Sequence, residues 1–170
     1  SIEGIDKLLL PGNGQAELVG GKECVIRKRP DGKVSFLLDF GRELQGGIQI
    51  VTGQSSRKEA KVRIRFGESV SEAMCDITPE NGATNDHAIR DFHFTLPWLG
   101  VAEIGNSGFR FVRIDVEEPD IDLLLKEVRA TFGYRDIPYL GSFKSDNDRL
   151  NDIWMTGAYT VHLNMQEYIW

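Results

Sequence analysis

The chain has 170 residues, of which 41% are hydrophobic and 27% charged, an ordinary balance for one globular domain with room for part of a second. Its net charge of −6 and pI near 5.1, with basic residues scattered as in Arg27-Lys28-Arg29 and Arg63/Arg65, argue against a nucleic-acid surface, which needs a clustered basic face. No apolar run approaches the roughly 18 residues of a membrane span, and the opening stretch Ser1–Leu10 shows neither a cationic leader nor a long apolar one.

The early chain is uninformative. Gly12-Asn13-Gly14-Gln15-Ala16 lacks the third glycine, the preceding strand and the following helix of a nucleotide-binding loop. Cys24 and Cys75 have no spacing that demands a bridge, so buried or free thiols are the simpler expectation. With His87, His93 and His162 as the histidines and no CxxC, a zinc site is not expected.

From residue 34 onward the pattern is β. Val34, Phe36, Leu38 and Phe40 alternate with Ser35, Leu37 and Asp39, and Ile48–Val51 is a β-branched run. Val62, Ile64 and Phe66 alternate with Arg63 and Arg65, and Phe92, Phe94 and Leu96 with Asp91, His93 and Thr95. Phe109 and Phe111 set one phase while Val112, Ile114 and Val116 set the other, which points to a bulge or to burial on both faces. A last run extends from Ile121 to Phe132. Turn chemistry separates these runs at Pro30-Asp31-Gly32, Thr52-Gly53-Gln54, Pro79-Glu80-Asn81-Gly82, Asn106-Ser107-Gly108 and Pro119-Asp120. No helical period interrupts the strands before about residue 143. The expectation is an all-β domain, an antiparallel jelly-roll-like β-sandwich, with a C-terminal amphipathic helix.

That helix is predicted from Ser145 as N-cap, with acids in its first turn. Leu150, Ile153, Trp154, Ala158, Val161 and Met165 recur at three- and four-residue steps over roughly 20 residues. It shows no stop signal before the apolar end Tyr168-Ile169-Trp170, so the chain reads as a piece of something longer. The alternative is a terminal helix docked on the sandwich.

Candidate chemistry is sparse. Glu68, Asp86 and Asp91 include carboxylates that a glycoside-cleaving pair would require, yet they read more simply as surface or turn acids. Trp98, in the probable loop Leu96–Gly100, offers a flat apolar face suited to a sugar ring, against the plainer reading of a packing tryptophan. Trp154, Tyr159, Tyr168 and Trp170 on the terminal helix read as inter-helix contacts rather than as a sugar pocket.

Four stretches together resemble the bacterial α-L-rhamnosidase family of glycoside hydrolases. They are Leu38-Asp39-Phe40-Gly41-Arg42-Glu43-Leu44-Gln45-Gly46-Gly47, Ile64-Arg65-Phe66-Gly67-Glu68-Ser69, Gly108-Phe109-Arg110-Phe111-Val112-Arg113-Ile114, and the tail from Ser145 through Asn151, Trp154 and Gln166–Trp170. The resemblance covers about residues 38–170. It implies an accessory sandwich at 1–138, then a linker and the first helix of an (α/α)6 catalytic barrel at 139–170. It also implies inverting hydrolysis of terminal α-L-rhamnose by acids lying beyond Trp170, so that no catalytic residue is carried by this chain.

No cofactor and no metal are implied. The implied partner is the rest of the parent chain, with carbohydrate as a further candidate, no nucleic acid and no membrane span. The family role favours a periplasmic or secreted location. The segment Trp98–Ser107 departs from the family's usual sequence, which leaves the substrate open. Rival readings are a stand-alone carbohydrate-binding module, in which acids such as Asp115, Glu117, Glu118 and Asp120 would hold calcium, and a purely structural or interaction domain.

Overall fold

In a computed structural model, which describes residues 1–11, 23–78, 80 and 89–165, period-two alternation becomes strand wherever it is sustained. The strands are β1 (Ile2–Glu3), β2 (Cys24–Lys28), β3 (Val34–Thr52), β4 (Glu59–Gly67), β5 (Asp91–Pro97), β6 (Gly100–Val116) and β7 (Ile121–Phe132). They form one seven-stranded sheet in the order β1-β2-β7-β3-β6-β4-β5. The pairs β1–β2, β2–β7, β3–β6, β4–β6 and β4–β5 are antiparallel. The domain is therefore all-β and sandwich-like, made by one continuous sheet. The glycine-led segment 12–16 and the turns expected at Pro79–Gly82 and at Asp86 lie wholly or partly outside the described residues.

The two longest strands explain how a single sheet encloses a core. β3 and β6 pair from Val34↔Val116 to Thr52↔Gly100, with two register shifts between. In the first, Phe40 to Glu43 stand opposite Arg110 alone; in the second, Gly105 and Asn106 stand opposite Gly47. Bulges bend a strand and increase its twist, so both long strands turn here and contribute to both halves of the sheet. The phase change seen between Phe109 and Val112 falls at the first of these shifts.

The core fills the inside of this bend. Ile26, Ile48, Ile50, Ile64, Phe66, Leu96, Phe109, Ile114, Leu123 and Leu125 are all buried. Phe66 meets Phe92 and Phe109 edge-on, at centroid distances of 5.9 and 5.1 Å, and Phe109 meets Phe40 at 5.6 Å. These T-shaped pairs tie β5, β4, β6 and β3 together, each contributing about 0.5–1.5 kcal/mol beyond its buried area. The tip of the Phe66 ring abuts Gly105, whose φ of +90° few side-chain-bearing residues adopt.

Several local expectations need correction. A helix does interrupt the strands: α1 (Val70–Met74), capped by Ser69, whose hydroxyl accepts from the Glu72 amide at 3.2 Å. One turn is too short to show a period, and its signal was the Ser-x-x-Glu spacing. The long helix α2 runs Asp148–Leu163, sixteen residues, and Asn147 rather than Ser145 is its N-cap. Asn147 is extended and its side chain accepts from the Arg149 amide at 3.0 Å, while the Ser145 hydroxyl accepts from the Asn147 amide one step earlier. The helix also has a C-cap, Asn164, whose amide reaches the carbonyls of Thr160 and Val161. Cys24 is a buried and Cys75 a half-buried free thiol.

The chain divides into two compact units, Ser1–Thr131 and Phe132–Trp170. Within the second unit α2 buries no residue, and Leu150, Ile153 and Val161 along its apolar stripe stay exposed. No helix among the described residues is long and apolar enough to cross a membrane.

Candidate functional site

The first three of the four family-like stretches converge at the bend. Asp39, at the start of the β3 bulge, accepts from the Gly41 amide at 2.8 Å, and Gly41 takes φ +84°, closing a tight turn. Across the bulge, Arg110 of β6 grips the same carboxylate with two bonds of 2.8 Å. This forked pair and the Gly41 amide hold the Asp39 carboxyl down at about 2. Arg110 also lies over the Phe111 ring, 4.9 Å from its centroid.

The same bulge carries Glu43. Its carboxyl and that of Glu68, just past β4, both lie over Gly108 of β6. A β-carbon added there would meet Glu43 Oε1 at 3.1 Å and Glu68 Oε1 at 3.3 Å. The missing side chain at Gly108 is what leaves room for the pair. Burial pushes the Glu43 carboxyl up to about 7, and the charges of Glu68 and Glu72 add to this while Arg110 opposes it. Glu72, from α1, accepts from the Glu68 amide at 2.8 Å and pairs with Arg90. The arrangement therefore combines one carboxyl poised near neutrality with the exposed carboxylate of Glu68 and an ion pair. Chemically it can exchange a proton near pH 7 and hydrogen-bond in either state.

The residues singled out in the sequence do not assemble into one site. Glu68 joins the group just described. Asp91 instead faces Arg63 in a forked pair, 2.8 and 2.6 Å. Asp86 lies outside the described residues. Trp98 sits in the turn between β5 and β6, 41% exposed, with its indole N–H donating to the Ser55 carbonyl at 2.8 Å. That bond fixes the ring while part of its surface faces solvent.

Three of the four acids considered for calcium have side-chain partners of their own. Asp115 accepts from Arg65 and Arg113, Glu117 contacts His93, and Asp120 accepts from Arg29. Among the described residues no group of three or more His, Cys, Asp or Glu side chains is arranged to hold a metal ion.

No family model matches the sequence, and no curated protein resembles it significantly. Solved structures do. A GH78 family rhamnosidase of Bacillus sp. GL1 superposes with a TM-score of 0.70 at 19% identity, over 96% of this chain and 16% of that one. A rhamnosidase from Klebsiella oxytoca, solved with rhamnose bound, superposes with a TM-score of 0.65 at 18% identity, over 85% of this chain and 29% of that one. The chain shares the fold of a rhamnosidase segment.

It spans well under a third of either rhamnosidase, so the likeness concerns a part of those enzymes. A looser likeness, TM-score 0.44 at 15% identity over 67% of this chain and 74% of that one, is to the Streptococcus pneumoniae fucose binding module SpX-3. The rhamnosidase-like fold places the motif residues at a bend of the sheet. Sequence reasoning weighed Glu68 as a candidate carboxylate, favoured a surface acid, and missed Glu43 beside it. The available signal was the motif glycine at 108, which marks a close approach without naming what approaches.

Proposed function

We propose that this chain is a non-catalytic β-sandwich domain, with a linker and first helix at 139–170, of a larger glycoside hydrolase that removes terminal α-L-rhamnose with inversion. The observation that carries this reading is the superposition of 85–96% of the chain on a minor part of two rhamnosidases. The exposed stripe of α2 supports it: Leu150, Ile153 and Val161 are 46%, 59% and 57% exposed, an apolar face of the kind a following helix covers. Inverting hydrolysis needs one carboxylic acid to protonate the leaving oxygen and one carboxylate to activate water on the opposite face of the sugar. We place both in the parent's helical barrel. The sandwich braces that barrel, and the fixed, half-exposed indole of Trp98 is the surface we assign to sugar contact.

The test is release of nitrophenol from an aryl α-L-rhamnoside, with this chain and the full-length parent assayed side by side. Activity confined to the longer protein is the expected result. Activity in the 170-residue chain would overturn the non-catalytic reading and direct attention to Glu43 and Glu68. Silence in both would remove rhamnose as substrate. A Trp98→Ala parent with unchanged KM would remove the sugar contact alone.

A further inference from the structure

Between β7 and α2 the chain has no regular secondary structure from Gly133 to Lys144. Its position is set by side chains of α2 at two places. Near the C-terminal end of the helix, His162 Nε2 lies 2.6 Å from the Arg135 carbonyl, and its Nδ1 lies 2.9 Å from the Tyr139 hydroxyl. A carbonyl only accepts, so Nε2 carries a proton; in the neutral ring Nδ1 is then the acceptor and the Tyr139 hydroxyl donates to it. The rings of Tyr134 and Tyr139 both meet the imidazole edge-on, at 5.6 and 5.4 Å, and Phe132 stacks on Tyr134 at 4.9 Å. Toward the N-terminal end, Asn151 closes a reciprocal pair with Ser145: the Ser145 amide donates to Oδ1 at 2.8 Å and Nδ2 donates to the Ser145 carbonyl at 3.0 Å.

His162 and Asn151 lie eleven positions apart, about 16 Å along an α-helix. The segment from Tyr139 to Ser145 is long enough, at about 3.3 Å per extended residue, to run back that distance. We infer that residues 134–145 are a strap fastened to α2 at both ends, with His162 as the positioning residue that latches its far end. Linker and helix then form one ordered body without needing a partner on the apolar stripe. The stripe residues Leu150, Ile153 and Val161 stay exposed with the strap in place. The inference does not depend on which sugar the parent cleaves.

The experiment uses the full 170-residue chain and reads tryptic cleavage after Arg135, together with hydrogen exchange of residues 134–141. When opening is fast, cleavage follows the population of the open state. His162→Ala, which removes both hydrogen bonds and both edge contacts, is expected to speed cleavage about tenfold, and Tyr139→Phe, which removes one hydrogen bond, about threefold. Val161→Ala, on the exposed stripe, is expected to leave it unchanged. In the unmodified chain the ring nitrogens of His162 should show the Nε2–H tautomer, with Nδ1 shifting in Tyr139→Phe. Because Tyr139 lies outside the helix, its variant keeps α2 intact even if His162→Ala weakens the helix. Equal cleavage rates for Tyr139→Phe and the unmodified chain, with the His162 ring signals unmoved, would overturn the latch.

Discussion

The bend of the sheet makes a sharp prediction at Gly105. In Gly105→Ala the new β-carbon would stand 2.5, 2.9 and 3.1 Å from Cζ, Cε2 and Cε1 of Phe66. Phe66 is 1% exposed and held between Phe92 and Phe109, so its ring cannot step aside without disturbing both. Overpacking of this kind costs about 1–3 kcal/mol. The residue also sits at φ +90°, and forcing an L side chain into left-handed space adds about 1–2 kcal/mol. The total is about 2–5 kcal/mol, a large part of a domain's net stability.

Urea unfolding followed by far-UV circular dichroism would measure it. With a slope of about 1–3 kcal/mol per molar, the midpoint should fall by at least about 0.7 M. Adding Phe66→Leu should recover the steric part but not the backbone part, giving a coupling of about 1–3 kcal/mol in the double-mutant cycle. A midpoint within about 0.3 M of the unmodified chain would refute the close approach. Zero coupling with Phe66→Leu would refute the clash as its cause. Gly157→Ala is the control: its β-carbon meets nothing within 4 Å, and replacing an exposed mid-helix glycine should favour α2 by about 1 kcal/mol.

Three further outcomes follow from the ionisable groups. The Glu43 carboxyl is raised from 4.5 to about 7, so the folded state binds the extra proton. Stability from this group is present below about 4.5 and lost as pH rises through about 7; with a partly solvated carboxyl the loss is about 1 kcal/mol. Thermal melts between these pH values should show that slope, and Glu43→Gln should flatten it. Asp39 behaves in the opposite sense: its carboxyl is lowered from 3.8 to about 2, so its contribution is present above 3.8 and lost as pH falls toward 2. Arg110→Met should return the Asp39 titration, followed by NMR, toward the ordinary range. Finally, burial raises the Cys24 thiol, and Cys24 is fully enclosed. A thiol reagent should modify Cys75 in the native protein and Cys24 only on unfolding.

Much of the sheet was legible because a strand's side chains alternate by geometry. Val62, Ile64 and Phe66 face the core as their period demands, and Ile121, Leu123 and Leu125 do the same. The stripe of α2 was legible for the parallel reason at period 3.6. Its caps were less so: a serine and an asparagine two residues apart both satisfy the N-cap rule, and only backbone geometry chose Asn147. Arg65 shows the limit of periodicity. Its place opposite Ile64 and Phe66 predicts an outward charge, yet it is 5% exposed, because the last carbonyls around α1, Asp76 and Asp115 close over it.

The sequence by itself determined the class of fold, the helix stripe and the family-like motifs, since each is a local pattern of residue types. Only the tertiary structure decided that Glu43 and Glu68 share the space above Gly108. Glu43 lies in β3 and Glu68 just past β4, and their meeting goes with four residues of β3 standing opposite one of β6. A phase change along one strand can hint at a bulge, but how many residues it holds is set by which distant strand wins the pairing, and by how a buried ring such as Phe66 fits against a residue with no side chain.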